Sequence, residues 1–251
     1  MHQALFNSHY NLTAGEADAH SRMPSTLLVE RVIEIATRHA NYLEVGYEDL
    51  RAAGIGWVFS RMSLEIDRLP RINEEYALNT WIESYNRHFC ERNFDMVDRA
   101  GTPIACVRST FVAIDMQRRT MADLSAFERD AIPTLDRPCS VAPFRRMAPL
   151  PEDAESEELH FGYSDIDFNR HVNTVRYLAR VLDHWPLAHH DRYAIRRLEM
   201  AFHRELLYGD KATLRVASRD GGASHDCEIL GPDGSRAATL RIEWQPRRSM
   251  D

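Results

Sequence analysis

The sequence predicts an α+β fold in which two antiparallel sheets, each wrapped on a long helix, join side by side. Three observations predict it: two stretches with helical apolar spacing, four strand-like runs after each of them, and a proline-rich, acidic stretch between the two sets.

After Ser25, the positions Leu28, Val32, Ile35, Ala36, His39, Ala40 and Leu43 recur at spacings of three and four, which gives one long helix a single face to bury. Pro24 and Ser25 are suitable start signals. Strand patterns follow near 55–66, 75–84, 89–98 and 104–114, punctuated by Leu69-Pro70 and Ala100-Gly101-Thr102. Between about Arg118 and Glu157 the composition shifts to Pro133, Pro138, Pro143, Pro149 and Pro151 with a closing acidic run, the profile of a linker over the surface. The order then repeats: a short strand at 159–163, a helix near 173–185 with Val175, Leu178, Leu182 and Trp185 on one face, and strands near 193–204, 211–218, 225–230 and 237–244. A single sheet on one helix leaves unpaired edges, and side-by-side pairing of the halves removes two of them. The expected domains are 1–118, a linker at 119–157, and 158–251.

The chain has 251 residues and a formal charge of −7, with a pI near 5.9. That balance argues against nucleic acid as a partner. Lys211 is the only lysine, as a GC-rich genome would produce. Cys90, Cys106, Cys139 and Cys227 show neither metal-ligand spacing nor a disulfide framework, which fits a reducing cytoplasm. No apolar run approaches the roughly 18 residues of a membrane span, and the N-terminus carries no export signal, so the chain is expected in the cytoplasm.

The densest chemistry lies in SDIDFNRHVNTVRYL, Ser164 to Leu178. Asp165, Asp167, Asn169, His171 and Asn173 alternate there, and alternation in an extended segment points side chains one way. The helix start beyond offers backbone N–H groups to a developing anion, with His171 and Val172 as the expected oxyanion donors. An imidazole can donate to a carbonyl or shuttle a proton near neutral pH. Asn173 suits a helix cap first and substrate second, and Asp165 suits a turn or cap. His184, His189 and His190 surround Pro186 without a cysteine partner, which reads as a solvated loop, and no metal is expected.

EADAHSRM, Glu16 to Met23, aligns with SDIDFNRHV so that Asp18 meets Asp167, His20 meets Asn169 and Arg22 meets His171. Downstream, LEIDRLPRINEEYAL parallels MAFHRELLYGDKATL and sets Leu69 opposite Glu205. Only the second copy keeps the polar set.

The segment from Ser164 resembles the D-x-D-x-N-x-H-V-N-x-x-x-Y signature of the acyl-acyl carrier protein thioesterases, which have a double hotdog fold. HRELLYGD, His203 to Asp210, resembles the later segment that carries their catalytic glutamate. The resemblance spans nearly the whole chain. It implies Asp167, Asn169, His171 and Glu205 as catalytic residues, a first repeat that shapes the acyl pocket, no cofactor, and an acyl carrier protein with its phosphopantetheine arm as partner. A homodimer is left open. Many plant members carry a cysteine after the glutamate; here Leu206 stands in that place, which excludes a thiolate there.

On this reading Glu205 activates water, or attacks the thioester itself, while Asn169 and His171 position the carbonyl and nucleophile and Asp167 orients them. Without the resemblance, Arg204-Glu205 reads as a solvated ion pair at a strand end. Arg118-Arg119, Arg145-Arg146 and Arg192 with Arg196-Arg197 are candidates for steering an acidic carrier. The rivals are an acyl-CoA thioesterase on the same fold and a non-catalytic acyl-binding regulator. A hotdog hydratase fits less well, since its D-x-N-P-x-H signature sets the histidine one residue farther away.

Overall fold

A computed structural model of the chain describes residues 2–124 and 132–247. The chain forms two compact units, Met1–Pro143 and Phe144–Asp251, and their boundary falls inside the expected linker.

The first unit runs β1 (Leu5–Asn11), α1 (Ser25–Tyr42), α2 (Tyr47–Ala52), β2 (Ile55–Ile66), β3 (Glu75–Tyr85), β4 (Phe89–Asp98), β5 (Pro103–Asp115) and β6 (Thr120–Met121). The antiparallel order is β1-β3-β4-β5-β2, with β6 beside β5. Opposite residues such as Thr80 and Phe94, or Ile82 and Arg92, share a face. That face turns toward α1, whose Leu28, Val32, Ile35, Ala36 and Ala40 are buried.

The other face of this sheet is covered by the chain after residue 132. Trp81 Nε1 donates to Arg137 O at 3.0 Å and Leu135 N–H to Ile82 O at 2.9 Å. The Arg137 guanidinium lies 4.7 Å from the Trp81 ring and pairs with Asp95. This stretch was expected to be linker, yet buried backbone needs partners, and residues 132–143 find theirs on β3 to β5. Residues 125–131 of the expected linker lie outside the described residues.

The second unit runs β7 (Glu155–His160), α3 (Thr174–Leu182), α4 (Leu187–Arg192), β8 (Tyr193–Phe202), β9 (Lys211–Arg219), β10 (Ser224–Leu230) and β11 (Arg236–Pro246). Its order, β7-β9-β10-β11-β8, repeats the winding of the first. The acidic run read as linker is β7, paired among the described residues with β9 alone, and glutamates on a strand with such an edge discourage further pairing. The second helix is shorter than expected because Pro186 caps a new helix, α4. His189 and His190 therefore sit on α4, not in a solvated loop, and Trp185 packs 5.1 Å from Trp244 and 5.0 Å from His225.

Alternation along β8 to β11 sends Leu198, Met200, Leu214, Ile229, Leu240 and Ile242 into the core. The opposite face carries a ladder of paired charges. Arg197 meets Glu199 at 2.6 Å, Arg215 and Arg236 each reach Glu228 at 2.7 Å, and Arg241 and Arg219 share Asp226. The arginine preference thus has a structural use, since planar guanidinium forks match carboxylates. Arg197 is buried in this ladder, which removes it from the residues that could steer a carrier. Among the described residues no helix is long and apolar enough to cross a membrane.

Burial alone would raise the Asp226 carboxyl, but Arg241 and Arg219 hold it below the usual carboxylate range. A depressed folded value stabilises the protein above the unfolded pKa and loses that contribution as pH falls through the folded one. Asp226→Ala should therefore cost roughly 3 kcal/mol at neutral pH and less as the solution is acidified below about pH 4, as read from urea unfolding across pH.

Candidate active site

Ser164 to Asn173 is not an extended strand. Tyr163–Asp165 forms one 3-10 turn, in which Asp165 Oδ2 accepts from Gly162 N–H at 2.8 Å and from Arg180 Nη2 at 2.8 Å. The chain then doubles back. Asp167 Oδ1 accepts from the N–H groups of Asn169 at 2.9 Å and His171 at 3.1 Å, and Asp167 N–H donates to His171 O at 2.8 Å. Arg170, at φ +66°, closes the turn. Asn173 caps α3, its Oδ1 accepting from Val175 N–H at 2.9 Å.

This turn docks on the approach to β9. Val172 N–H donates to Leu206 O at 2.8 Å, and Leu206 N–H donates to the Tyr177 hydroxyl at 3.1 Å. Leu206 is wholly buried. Glu205, immediately before it, is thereby brought beside the turn, and its Oε1 lies 3.3 Å from His171 Nδ1. Arg204 reaches Asp233 and Ser235, and Glu205 pairs with the imidazole.

The structure joins His171 to Glu205 and places Asp167 behind them as the acceptor that shapes their loop. Asn169 stands at the exposed crest of the turn, and among the described residues its side chain makes no hydrogen bond. The expected oxyanion donors are both engaged: His171 N–H is bound to Asp167 and Val172 N–H to Leu206. Phe168, Leu207 and Tyr208 are exposed beside the pair.

Tyr177 carries a role that the sequence reading left unassigned. Burial, with Asp210 and Asp167 nearby, pushes its hydroxyl up to about 12, so it stays a neutral acceptor holding the Glu205-Leu206 backbone. A tyrosine on the apolar face of a helix is a usable signal, because a buried phenol needs a partner for its tip. None of the four cysteines lies on these segments. The thiols of Cys90, Cys106, Cys139 and Cys227 are all pushed up by burial, which disfavours a thiolate.

The first unit holds the same frame without the imidazole and carboxylate pair. Asp18 Oδ1 accepts from His20 and Arg22 N–H groups, and Ser21 takes φ +57°. Arg31 reaches Glu16 as Arg180 reaches Asp165, fifteen positions apart in both. Met23 N–H donates to Pro70 O where Val172 N–H donates to Leu206 O. Arg22 and Leu69 occupy the places of His171 and Glu205.

The N-terminal domain model of acyl-ACP thioesterases matches residues 3–126, and the C-terminal domain model matches residues 149–246. The chain belongs to the acyl-ACP thioesterase family. Among relatives, the chloroplastic palmitoyl-acyl carrier protein thioesterase of Gossypium hirsutum is 23% identical over 98% of this chain and 65% of that protein. The chain thus spans less than two thirds of that relative's length. An acyl-ACP thioesterase structure from Bacteroides thetaiotaomicron is 26% identical, with a TM-score of 0.89 over 96% of this chain and 98% of that one. The 12:0-ACP thioesterase from Umbellularia californica, 19% identical, shares the fold with a TM-score of 0.87 over 98% and 99%. The double hotdog expectation agrees with these likenesses.

The turn requires an acceptor at residue 167 and not a charge. Asp167→Asn should leave the urea midpoint nearly unchanged, whereas Asp167→Ala should cost roughly 1–2 kcal/mol, the range for losing a side-chain cap.

Proposed function

We propose that the chain hydrolyses the thioester of fatty acyl-acyl carrier protein, releasing free fatty acid and the carrier's thiol. The observation that carries this reading is the approach of Glu205 to His171 on a frame whose first-unit copy has lost both residues. Family membership supplies the substrate class.

Glu205 takes a proton from water, and the resulting hydroxide attacks the thioester carbonyl carbon. His171, held at Nδ1 by the carboxylate, fixes the direction of the attack through its other nitrogen. The tetrahedral intermediate's oxyanion needs donors, and the turn's own N–H groups at His171 and Val172 are occupied. The Asn169 carboxamide at the crest is suited to donate there, and one such donor is worth roughly 3–4 kcal/mol. Collapse breaks the C–S bond, and the protonated Glu205 returns its proton to the leaving sulfur. Leu206 leaves no thiol beside the carboxylate, which favours water over a cysteine nucleophile.

Free cysteines at all four positions suit a reducing cytoplasm. The carrier is acidic by the family's habit, so the exposed Arg118, Arg119, Arg145, Arg146, Arg192 and Arg196 are the remaining steering candidates. With steering, kcat/KM for acyl carrier substrate falls as salt rises, because charges farther apart than the ~8–10 Å Debye length are screened. An unchanged kcat/KM from low to high salt would remove electrostatic docking from the account.

Glu205→Gln keeps an acceptor for His171 while removing the base. It should lower kcat by about 10²- to 10⁴-fold, measured as free thiol released from a ladder of acyl-carrier thioesters. Activity within a few-fold of wild type would mean that Glu205 is not the base. Cys106→Ala and Cys139→Ala should each keep kcat within about threefold, since neither thiol is activated. The same acyl chain presented on coenzyme A should turn over more slowly than on the carrier protein. Stoichiometric retention of the acyl chain without thiol release would instead identify a binding protein.

A further inference from the structure

In the first unit, between α1 and the helix-facing side of its sheet, Ala36, Ala40, Trp57, Ile82 and Phe111 line a cavity of about 60 Å³. One water needs only about 10–15 Å³ of such space. Arg92 lines the same cavity although only 4% of it is exposed.

Among the described residues the polar groups paired with Arg92 are neutral. Its Nη1 donates to His39 Nδ1 at 2.8 Å and reaches Thr80 Oγ1 at 3.4 Å. His39 is drawn down to about 4 by burial and by the Arg92 charge, so its ring accepts without carrying charge. Burial pushes the neighbouring Cys90 thiol up, which keeps it protonated.

Among the described residues no carboxylate pairs with Arg92. The other buried charged side chains differ: Asp95 meets Arg137, Asp165 meets Arg180, Arg197 meets Glu199, and Asp226 and Glu228 each meet two arginines. A guanidinium keeps its proton even when buried, and an uncompensated buried charge is costly. A largely apolar cavity with such a group in its lining is complementary to an apolar body with an anionic end, and the guanidinium fork suits a carboxylate in particular.

We propose that this cavity binds a carboxylate at the end of an aliphatic chain, the carboxylate seated on Arg92 and the methylenes against Trp57, Ile82 and Phe111. Two sources present that chemistry: a free fatty acid, and a carrier-linked acyl chain whose far end is itself a carboxylate. The free acid is also the product of the function proposed above, but its binding is tested without turnover; the carrier-linked arm rests on that function.

Titration calorimetry of the full chain with octanoate and with 1-octanol tests the site. Wild type should bind octanoate at least about tenfold more tightly than the alcohol. Arg92→Met should abolish that preference, and Arg92→Lys should reduce it. Ile82→Trp, which fills the cavity, should weaken octanoate binding. Should Arg92→Met fail to fold, the wild-type ranking and the Ile82→Trp variant still decide.

The second arm compares kcat/KM for octanoyl and ω-carboxyoctanoyl carrier thioesters. A wild-type preference for the ω-carboxy chain that Arg92→Lys reduces assigns the site to substrate. Octanoate preference without it assigns the site to free acid. Equal affinity for octanoate and octanol, with equal rates on the two thioesters, overturns the proposal. If neither thioester is hydrolysed, the proposed function fails, while the octanoate titration still decides the cavity.

Discussion

Two backbone N–H groups converging on one carboxylate oxygen of Asp167 determine where nearly everything else in the second unit can stand. The turn they close reverses the chain between a 3-10 turn and a capped helix, and it leaves Val172 N–H directed at Leu206 O. That single ladder bond fixes the register of the β9 approach against the turn. Tyr177 then holds Leu206 from the helix side, and Glu205 is left beside His171. Removing the acceptor would loosen the register first and the paired side chains with it.

The first unit shows that this constraint is architectural. Asp18 makes the same two bonds, Ser21 takes the same left-handed backbone, and Met23 makes the same contact with Pro70. Yet Arg22 and Leu69 stand where the second unit has His171 and Glu205. The two copies therefore separate what the fold needs from what it leaves free to vary: the aspartate, the left-handed residue and the ladder bond are common to both, while the imidazole and the carboxylate are not.

Much of this was legible in the residues. The strands at 55–66 and 89–98 have the limits their alternation predicts, α1 follows its apolar spacing, and the paired positions Asp18/Asp167 and Leu69/Glu205 occupy equivalent places. What stayed hidden shares one physical cause: tertiary partners overrode the local pattern. Among the described residues β1 and β7 pair on one side only, and LFNSHYN and ESEELH show little apolar alternation. The prolines after residue 132 suggested free linker, but Trp81, Ile82 and Asp95 supply bonds that no local pattern announces. Alternation from Asp165 to Asn173 suggested one shared face, and the bonds to Asp167 turned it into a loop. One of those bonds occupies the His171 N–H that the helix start offered to an oxyanion, and Leu206 O occupies the other, Val172 N–H.

Neither copy of the turn relies on glycine at its left-handed position; Ser21 and Arg170 occupy it, although such a backbone is disfavoured for residues with a Cβ. The strain is met by hydrogen bonds to an aspartate two positions or more away, so the crest residues themselves are under little conformational demand. Positions 20 and 169, 22 and 171, and 69 and 205 can accordingly be rewritten while the frame survives, as the divergence between the copies illustrates. A duplicated fold of this kind has mutational slack: side chains at these positions can change in one copy while the backbone frame persists in both.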